Sequence, residues 1–289
     1  MRRVLVTGAT GLLGCTLSRY LQEHQWQVVR HGRRGGDLIG DLADAGTADR
    51  TIAEANAESV VNLVALTDVD RCEMYPQEAF LQNTRVVENL AAAITRGGAA
   101  SYLLQISTDQ VYDGPGPHVE QQVLPSNYYT FSKYAGELAA AQAPSTILRT
   151  NFFGASECAG RASFSDWIVR ALRRQDQVRV FTDVWFSPLS IERLCAMICL
   201  VLERRILGVF NLGSRGGMSK AQFCYAIADL LGLPTTSMTR TALSAAALRA
   251  HRPRDMRMIC DRFERSFGVT LPTLEQEIAS MEEYYHGHV

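Results

Sequence analysis

The opening stretch "MRRVLVTGATGLLG" constrains the fold more than any other part of this chain. "RVLVT" is a short apolar run rich in β-branched residues, which predicts a buried strand. Gly8, Gly11 and Gly14 follow at three-residue spacing, and "CTLSRYLQEHQ" then places apolar residues at helical intervals. Glycines here let the backbone turn tightly and approach a pyrophosphate closely. The free N–H groups at the start of the helix can then meet the anion. GxxGxxG alone is a weak signal, but between the first strand and first helix of a βαβ unit it is specific. The spacing assigns Gly8, Thr10, Gly11, Leu12, Leu13 and Gly14 to a bound dinucleotide.

The pattern continues in the same sense. "WQVVRH", "SVVNLVAL", "SYLLQIS" and "STILRT" read as further strands. "RTIAEA", the long "PQEAFLQNTRVVENLAAAITRGG" and "PSNYYTFSKYAGELAAAQA" read as helices, the last capped by Ser126 or Asn127. "GRRGGDLIGDLAD" reads as a loop. Alternating strands and helices predict an α/β fold, a doubly wound parallel Rossmann sheet. Beyond residue 150 the alternation loosens. "FSDWIVRALRR", "IERLCAMICLVLERR", "KAQFCYAIADLLG" and the closing "LEQEIASMEEYY" look helical, while "VRVF" and "GVFNL" look like strands. Residues 1–150, with part of 163–207, are expected to form the dinucleotide-binding domain. Residues 151–162 and 208–289 are expected to form a smaller C-terminal substrate lobe.

Composition narrows the partners. Charged residues make up 20% of the chain and the net charge is -1, which gives no electrostatic case for nucleic acid or an anionic membrane. No apolar run reaches membrane-spanning length. The seven cysteines are odd in number and form no CxxC pair. Cys195 and Cys199 lie four apart without a histidine nearby, so reduced thiols in a cytoplasmic protein are expected and a metal is not.

The end of the second strand selects the cofactor. NAD sites place a carboxylate there, whereas NADP sites place arginine against the 2′-phosphate. The segment is "VVRHGRRGGD", with Arg30 and Arg33 before any acid, so NADP(H) is expected over NAD(H), with Arg33 as the main phosphate contact. Asp41 can accept from the adenine amino group, and Leu42 is placed beside it.

Lysine is scarce: of 29 lysines and arginines, only Lys133 and Lys220 are lysines. Lys133 follows Tyr129 by four residues on a predicted helix, so the two share a face. A carbonyl reductase needs a proton donor, and a nearby ammonium would lower a phenol from its usual value of about 10. Tyr129 and Lys133 fit these roles. Tyr128, about a hundred degrees around the helix, reads as packing or as a wall of the substrate pocket.

"TGATGLLG" with "YTFSK" resembles the extended short-chain dehydrogenase/reductases. "VVNLVALTDVDRCE", "ISTDQVYDG", "FSPLSIERL" and "RPRDMRMICDRFERSFGVTLP" resemble the dTDP-4-dehydrorhamnose reductase branch, and also the regulatory β subunit of methionine adenosyltransferase. The resemblance implies a Thr108–Tyr129–Lys133 catalytic set. It places Ala65, Leu66, Thr67 and Asn83 around the cofactor, and Asp109 and Val111 beside the substrate. It implies NADPH-dependent reduction of a nucleotide-linked 4-keto-6-deoxy sugar and allows a homodimer. A non-catalytic NADP-binding regulatory subunit is the alternative, as is an epimerase or dehydratase. The last is weakened because Gln110, not Glu, follows Asp109. The chain departs from the branch at "RTNFFGASECAGRAS", where Asn151 and Phe152 stand at the substrate position. Trp185 is placed to stack on a base, and Trp167 is expected to pack in the core. Arg252 either reaches a pyrophosphate or forms a surface salt bridge.

Overall fold

A computed structural model describes residues 2–97, 99–282 and 285. The first half runs β1 (Arg3–Thr7), α1 (Leu12–Glu23), β2 (Gln27–Gly32), β3 (Leu38–Ile39), α2 (Ala45–Ala55), β4 (Ser59–Asn62), α3 (Val69–Met74) and α4 (Pro76–Phe80). A π-helical turn (Leu81–Arg85), α5 (Val86–Thr95), β5 (Tyr102–Thr108), a 3₁₀ turn (Asp109–Val111), α6 (Tyr128–Ala140) and β6 (Ser145–Thr150) follow. The second half runs β7 (Phe152–Phe153), α7 (Phe164–Arg173), β8 (Val178–Phe181), β9 (Trp185–Phe186), β10 (Leu189–Ser190), α8 (Ile191–Arg204) and β11 (Gly208–Leu212). It ends with β12 (Met218–Ser219), α9 (Lys220–Leu230), β13 (Met238–Thr241), α10 (Asp261–Phe267) and α11 (Leu274–Ala279).

Seven strands form one sheet in the order β11-β6-β5-β4-β1-β2-β3. Every neighbouring pair is parallel. Strand order reverses between β1 and β4, which opens a crevice at their carboxyl ends, where ligands bind in such sheets. Helices cover both faces, so β1 is apolar on both sides. Val4 and Val6 join one core, and Leu5 joins the core on the opposite face. All three are fully buried, worth about 1.5–3 kcal/mol apiece.

The predicted α/β architecture is present, with local differences. The loop expected after β2 contains β3, which pairs His31 with Leu38 and Gly32 with Ile39. The predicted long helix from Pro76 is interrupted by the π-helical turn, which turns the Asn83 side chain toward the chain after β4. "GVFNL" was expected in the C-terminal lobe, yet β11 lies in the main sheet. It runs parallel to β6 from Gly208–Thr146 to Leu212–Thr150. Its buried Phe210 and Leu212 fill the main core, which draws it away from the lobe. A second core gathers Phe153, Ile168, Leu172, Phe186, Phe223 and Leu274. Thus α7 packs in this second core, while α8 packs with the sheet. Of the predicted closing helix, Leu274–Ala279 is helical, and residues 283 and 284 lie outside the described residues.

Candidate active site

The glycine turn sits at the crevice. Gly8 has φ +71°, and a Cβ there would lie 3.0 Å from Leu63 C and Val64 N of the chain after β4. A Cβ on Gly14 would lie 2.4 Å from the Gly8 carbonyl oxygen and 2.6 Å from Ala9 Cα. Hydrogen in place of a side chain is what lets α1 sit this close to the turn. Gly11 is the N-cap, no side chain caps the helix, and no acid lies in its first turn. The helix therefore presents unoccupied N–H groups and no opposing charge to an anion, which fits a pyrophosphate.

Above the turn, the loop after β2 lies against Thr10: a Cβ on Gly32 would be 3.1 Å from Thr10 Oγ1. Arg30 turns away, its guanidinium 3.1 Å from Asp37 and its N–H donating to the same carboxylate at 2.9 Å. Arg33 is exposed and has no ion-pair partner among the described residues. Asp37, which follows the arginines, is held by Arg30 below the usual carboxylate range. Asp41 accepts from Ala43 N at 3.0 Å, and the Leu42 side chain is buried in the core rather than in the crevice.

A polar ladder crosses the carboxyl ends of the strands. Thr7 donates to Asn62 at 2.6 Å, Asn62 to Gln105 at 2.8 Å, and Gln105 to the Ile106 carbonyl at 2.9 Å. The Lys133 ammonium donates to that same carbonyl at 2.8 Å. Asn83 clamps Leu66, donating to its oxygen at 3.1 Å and accepting from its nitrogen at 2.8 Å. The same amide reaches Ser132 Oγ at 2.9 Å, tying this loop to α6. Gly136 permits the approach: a Cβ there would fall 2.2 Å from Asn83 O.

Asn127 caps α6 in a reciprocal box with Thr130, which fixes where Tyr129 and Lys133 point. Both side chains are buried. Burial raises the Tyr129 phenol; a hydrogen bond with Thr108 opposes this, and the Asp109 charge adds to it. The predicted lowering by Lys133 is not what this arrangement gives: burial dominates at the phenol, and the ammonium donates to the Ile106 carbonyl. Burial lowers Lys133 to about 8, against the pull of Glu137 one helical turn on. Glu137 itself is buried and paired with Arg149 at 2.6 Å.

Gly8, Gly11, Leu12, Leu13, Gly14, Ala65, Thr67, Thr108, Asp109, Tyr129, Lys133, Asn151 and Phe152 line one cavity of 450 Å³. A second cavity of 340 Å³ adjoins it, sharing Gln110, Asn151 and Phe164, and carries Arg252, which also pairs with Asp70 at 3.1 Å.

Several expected residues lie elsewhere. Val111 is fully buried in the core. Trp185 lies in neither cavity, because it pairs in the β9–β12 ribbon and its ring is covered by Arg257 at 4.9 Å. Trp167, expected in the core, is half exposed; it stacks on Phe164 and borders the second cavity. Tyr128 lies outside both cavities, on an outer groove with Phe80, Leu81 and Phe131. Arg161, Ser163 and Phe164 also border the first cavity; the first two fall in the irregular stretch before α7, and Phe164, read as the start of a helix, carried no sign that it faces the cleft. Lys220 stood out as a rare lysine, but nothing local tied it to the site.

The Rossmann crevice, glycine turn and buried Tyr–Lys pair define an NAD(P)-dependent oxidoreductase. More narrowly, the chain belongs to the RmlD substrate binding domain family, which it matches over residues 1–286. It is 30% identical to the dTDP-4-dehydrorhamnose reductase of Sinorhizobium fredii, covering 95% of this chain and 94% of that one. It is 27% identical to methionine adenosyltransferase 2 subunit beta of Bos taurus, covering 91% and 82%. In fold it matches the dTDP-4-dehydrorhamnose reductase of Bacillus anthracis in complex with NADP: TM-score 0.89, 22% identity, 98% of this chain and 100% of that one.

Proposed function

We propose that the chain is an NADPH-dependent reductase of a nucleotide-linked 4-keto-6-deoxy sugar. One observation carries this reading. Thr108, Tyr129 and Lys133 meet in a cavity bounded on one side by the glycine turn and on the other by a second cavity containing Arg252. The first holds a dinucleotide and the second a nucleotide diphosphate, with the sugar between them. The dinucleotide, when bound, supplies the hydride. Tyr129 gives its phenolic proton to the carbonyl oxygen as charge develops there. Thr108, which lines the same cavity, hydrogen-bonds that carbonyl oxygen. Lys133, whose ammonium has donors beyond its bond to Ile106, supplies hydroxyl-binding capacity toward a ribose. Asp109 and Asn151, joined at 2.8 Å, face the sugar hydroxyls. The unpaired Arg33 favours NADPH over NADH by meeting a 2′-phosphate.

The regulatory-subunit reading keeps one support, the similarity to methionine adenosyltransferase 2 subunit beta. A homodimer through the apolar groove of Phe80, Leu81, Tyr128 and Phe131 belongs to the proposal and is checked by sedimentation. Seven free cysteines accord with a cytoplasmic setting. Among the described residues no helix is long and apolar enough to cross a membrane. The deciding experiment follows NADPH absorbance with a panel of dTDP- and UDP-linked 4-keto-6-deoxy sugars. Oxidation with at least one supports the reading. NADPH binding without oxidation by any of them refutes it.

A further inference from the structure

The second cavity is uneven in charge. Arg179, Lys220 and Arg252 border it, and among the described residues no carboxylate does. Arg252 is already committed: it pairs with Asp70 at 3.1 Å and donates to the Ala250 carbonyl at 3.0 Å. Arg179 is exposed, where water meets the needs of its guanidinium. Lys220 is partly buried, and its ammonium makes no ion pair and no hydrogen bond among the described residues.

Two phenylalanines hold that ammonium in place. It stands 3.5 Å from the centre of the Phe186 ring and 4.4 Å from that of Phe164. Ring faces attract a cation but bring no counter-charge. An ammonium has three N–H donors, so donors remain for a ligand. Asp109, whose charge reaches Lys220 through space, is bonded to Asn151 at 2.8 Å and to Thr108 at 3.3 Å instead. Lys220 is also the first residue of α9, whose first turn has no acid. The positive end of a helix opposes a cation placed there. An anion beside the ammonium relieves both deficits.

Phe164 shows where that anion sits. It borders both cavities, as do Gln110 and Asn151. The ammonium against its ring therefore stands at the junction of the two, beside the place given to the sugar. We propose that Lys220 is a specificity-determining residue, which binds the phosphate joined directly to the sugar of a nucleoside diphosphate sugar. The assignment rests on the sugar-nucleotide reading of the second cavity and adds the residue that recognises the ester. A phosphate there takes the free donors and supplies the missing counter-charge. The rings keep the ammonium from swinging away, so little freedom is lost when the ligand arrives.

The test is calorimetric titration of the whole chain, loaded with NADPH, with UDP, dTDP, UMP and dTMP. Lys220→Met keeps an apolar stem against the rings and removes the charge. Lys220→Gln is a second neutral variant, and a melting curve checks the fold of each. The parent is expected to bind at least one diphosphate more tightly than the matching monophosphate. Both variants should lose about tenfold or more in affinity for that diphosphate, the size of one lost charge-assisted bond. The monophosphate and NADPH should be far less affected, whereas a purely packing role would not distinguish the two nucleotides. Unchanged diphosphate affinity in a folded neutral variant overturns the proposal and leaves the sugar-nucleotide reading standing. Equal losses for diphosphate and monophosphate also overturn it, because Lys220 would then serve the phosphate nearer the nucleoside. A parent that binds NADPH and neither diphosphate overturns the proposal and the sugar-nucleotide reading together.

Discussion

Gly14→Ala tests the dinucleotide cradle with a single methyl. The added Cβ would lie 2.4 Å from the Gly8 carbonyl oxygen and 2.6 Å from Ala9 Cα, where ordinary contact begins at 3.4 Å. Both obstacles are backbone, so no side chain can swing aside. Restoring contact at the nearer atom requires 3.4 − 2.4, or 1.0 Å, of movement between α1 and the turn. Overpacking of this kind costs about 1–3 kcal/mol. The same turn must present its N–H groups to the pyrophosphate, so the strain is relieved at the expense of binding. Converted to affinity, 1–3 kcal/mol is about 5- to 150-fold. NADPH fluorescence titration reads the loss, and a melting curve shows whether the fold survives. Gly11→Ala is the milder control, because its Cβ would lie 3.1 Å from the nearest atom, again Gly8 O. NADPH affinity within twofold of the parent in a folded Gly14→Ala protein would refute the cradle argument.

Three further outcomes follow from the site. Arg33→Ala should weaken NADPH by about tenfold while leaving NADH nearly unchanged, as expected when one charge-assisted bond to a phosphate is lost; equal losses for both cofactors would remove Arg33 from the 2′-phosphate. Glu137→Gln strands the buried Arg149 guanidinium, 2.6 Å from its partner, and should destabilise the chain by about 3 kcal/mol in urea unfolding. A loss below about 1 kcal/mol would show that the pair is not a structural support beneath Lys133. Tyr128→Phe should leave both KM and kcat near the parent values, because Tyr128 borders the outer groove and neither cavity.

What could be read from the sequence was local. The glycine turn and its helix are consecutive, and Tyr129 and Lys133 lie one helical turn apart, so spacing alone put each set together. The parallel sheet followed from the alternation of elements. Contacts that cross elements stayed hidden. Asp37 withdraws Arg30 because β3 folds the loop back on β2, and that two-residue strand has no pattern to betray it. Leu42 and Val111 sit beside motif residues but point into the core. The direction of the effect on Tyr129 also needed three dimensions, because burial dominates at the phenol and the Lys133 ammonium donates to the Ile106 carbonyl.

In the proposed reaction Tyr129 delivers a proton to a sugar carbonyl. Its most direct test is single-turnover NADPH oxidation by Tyr129→Phe, using whichever nucleotide 4-keto sugar the parent reduces. Phenylalanine keeps the ring in its buried place and removes only the proton donor. General-acid catalysis is worth about 10²- to 10⁴-fold. The rate of oxidation should fall by that factor, with NADPH affinity held within a few-fold of the parent. A Tyr129→Phe protein that oxidises NADPH at the parent rate would contradict it.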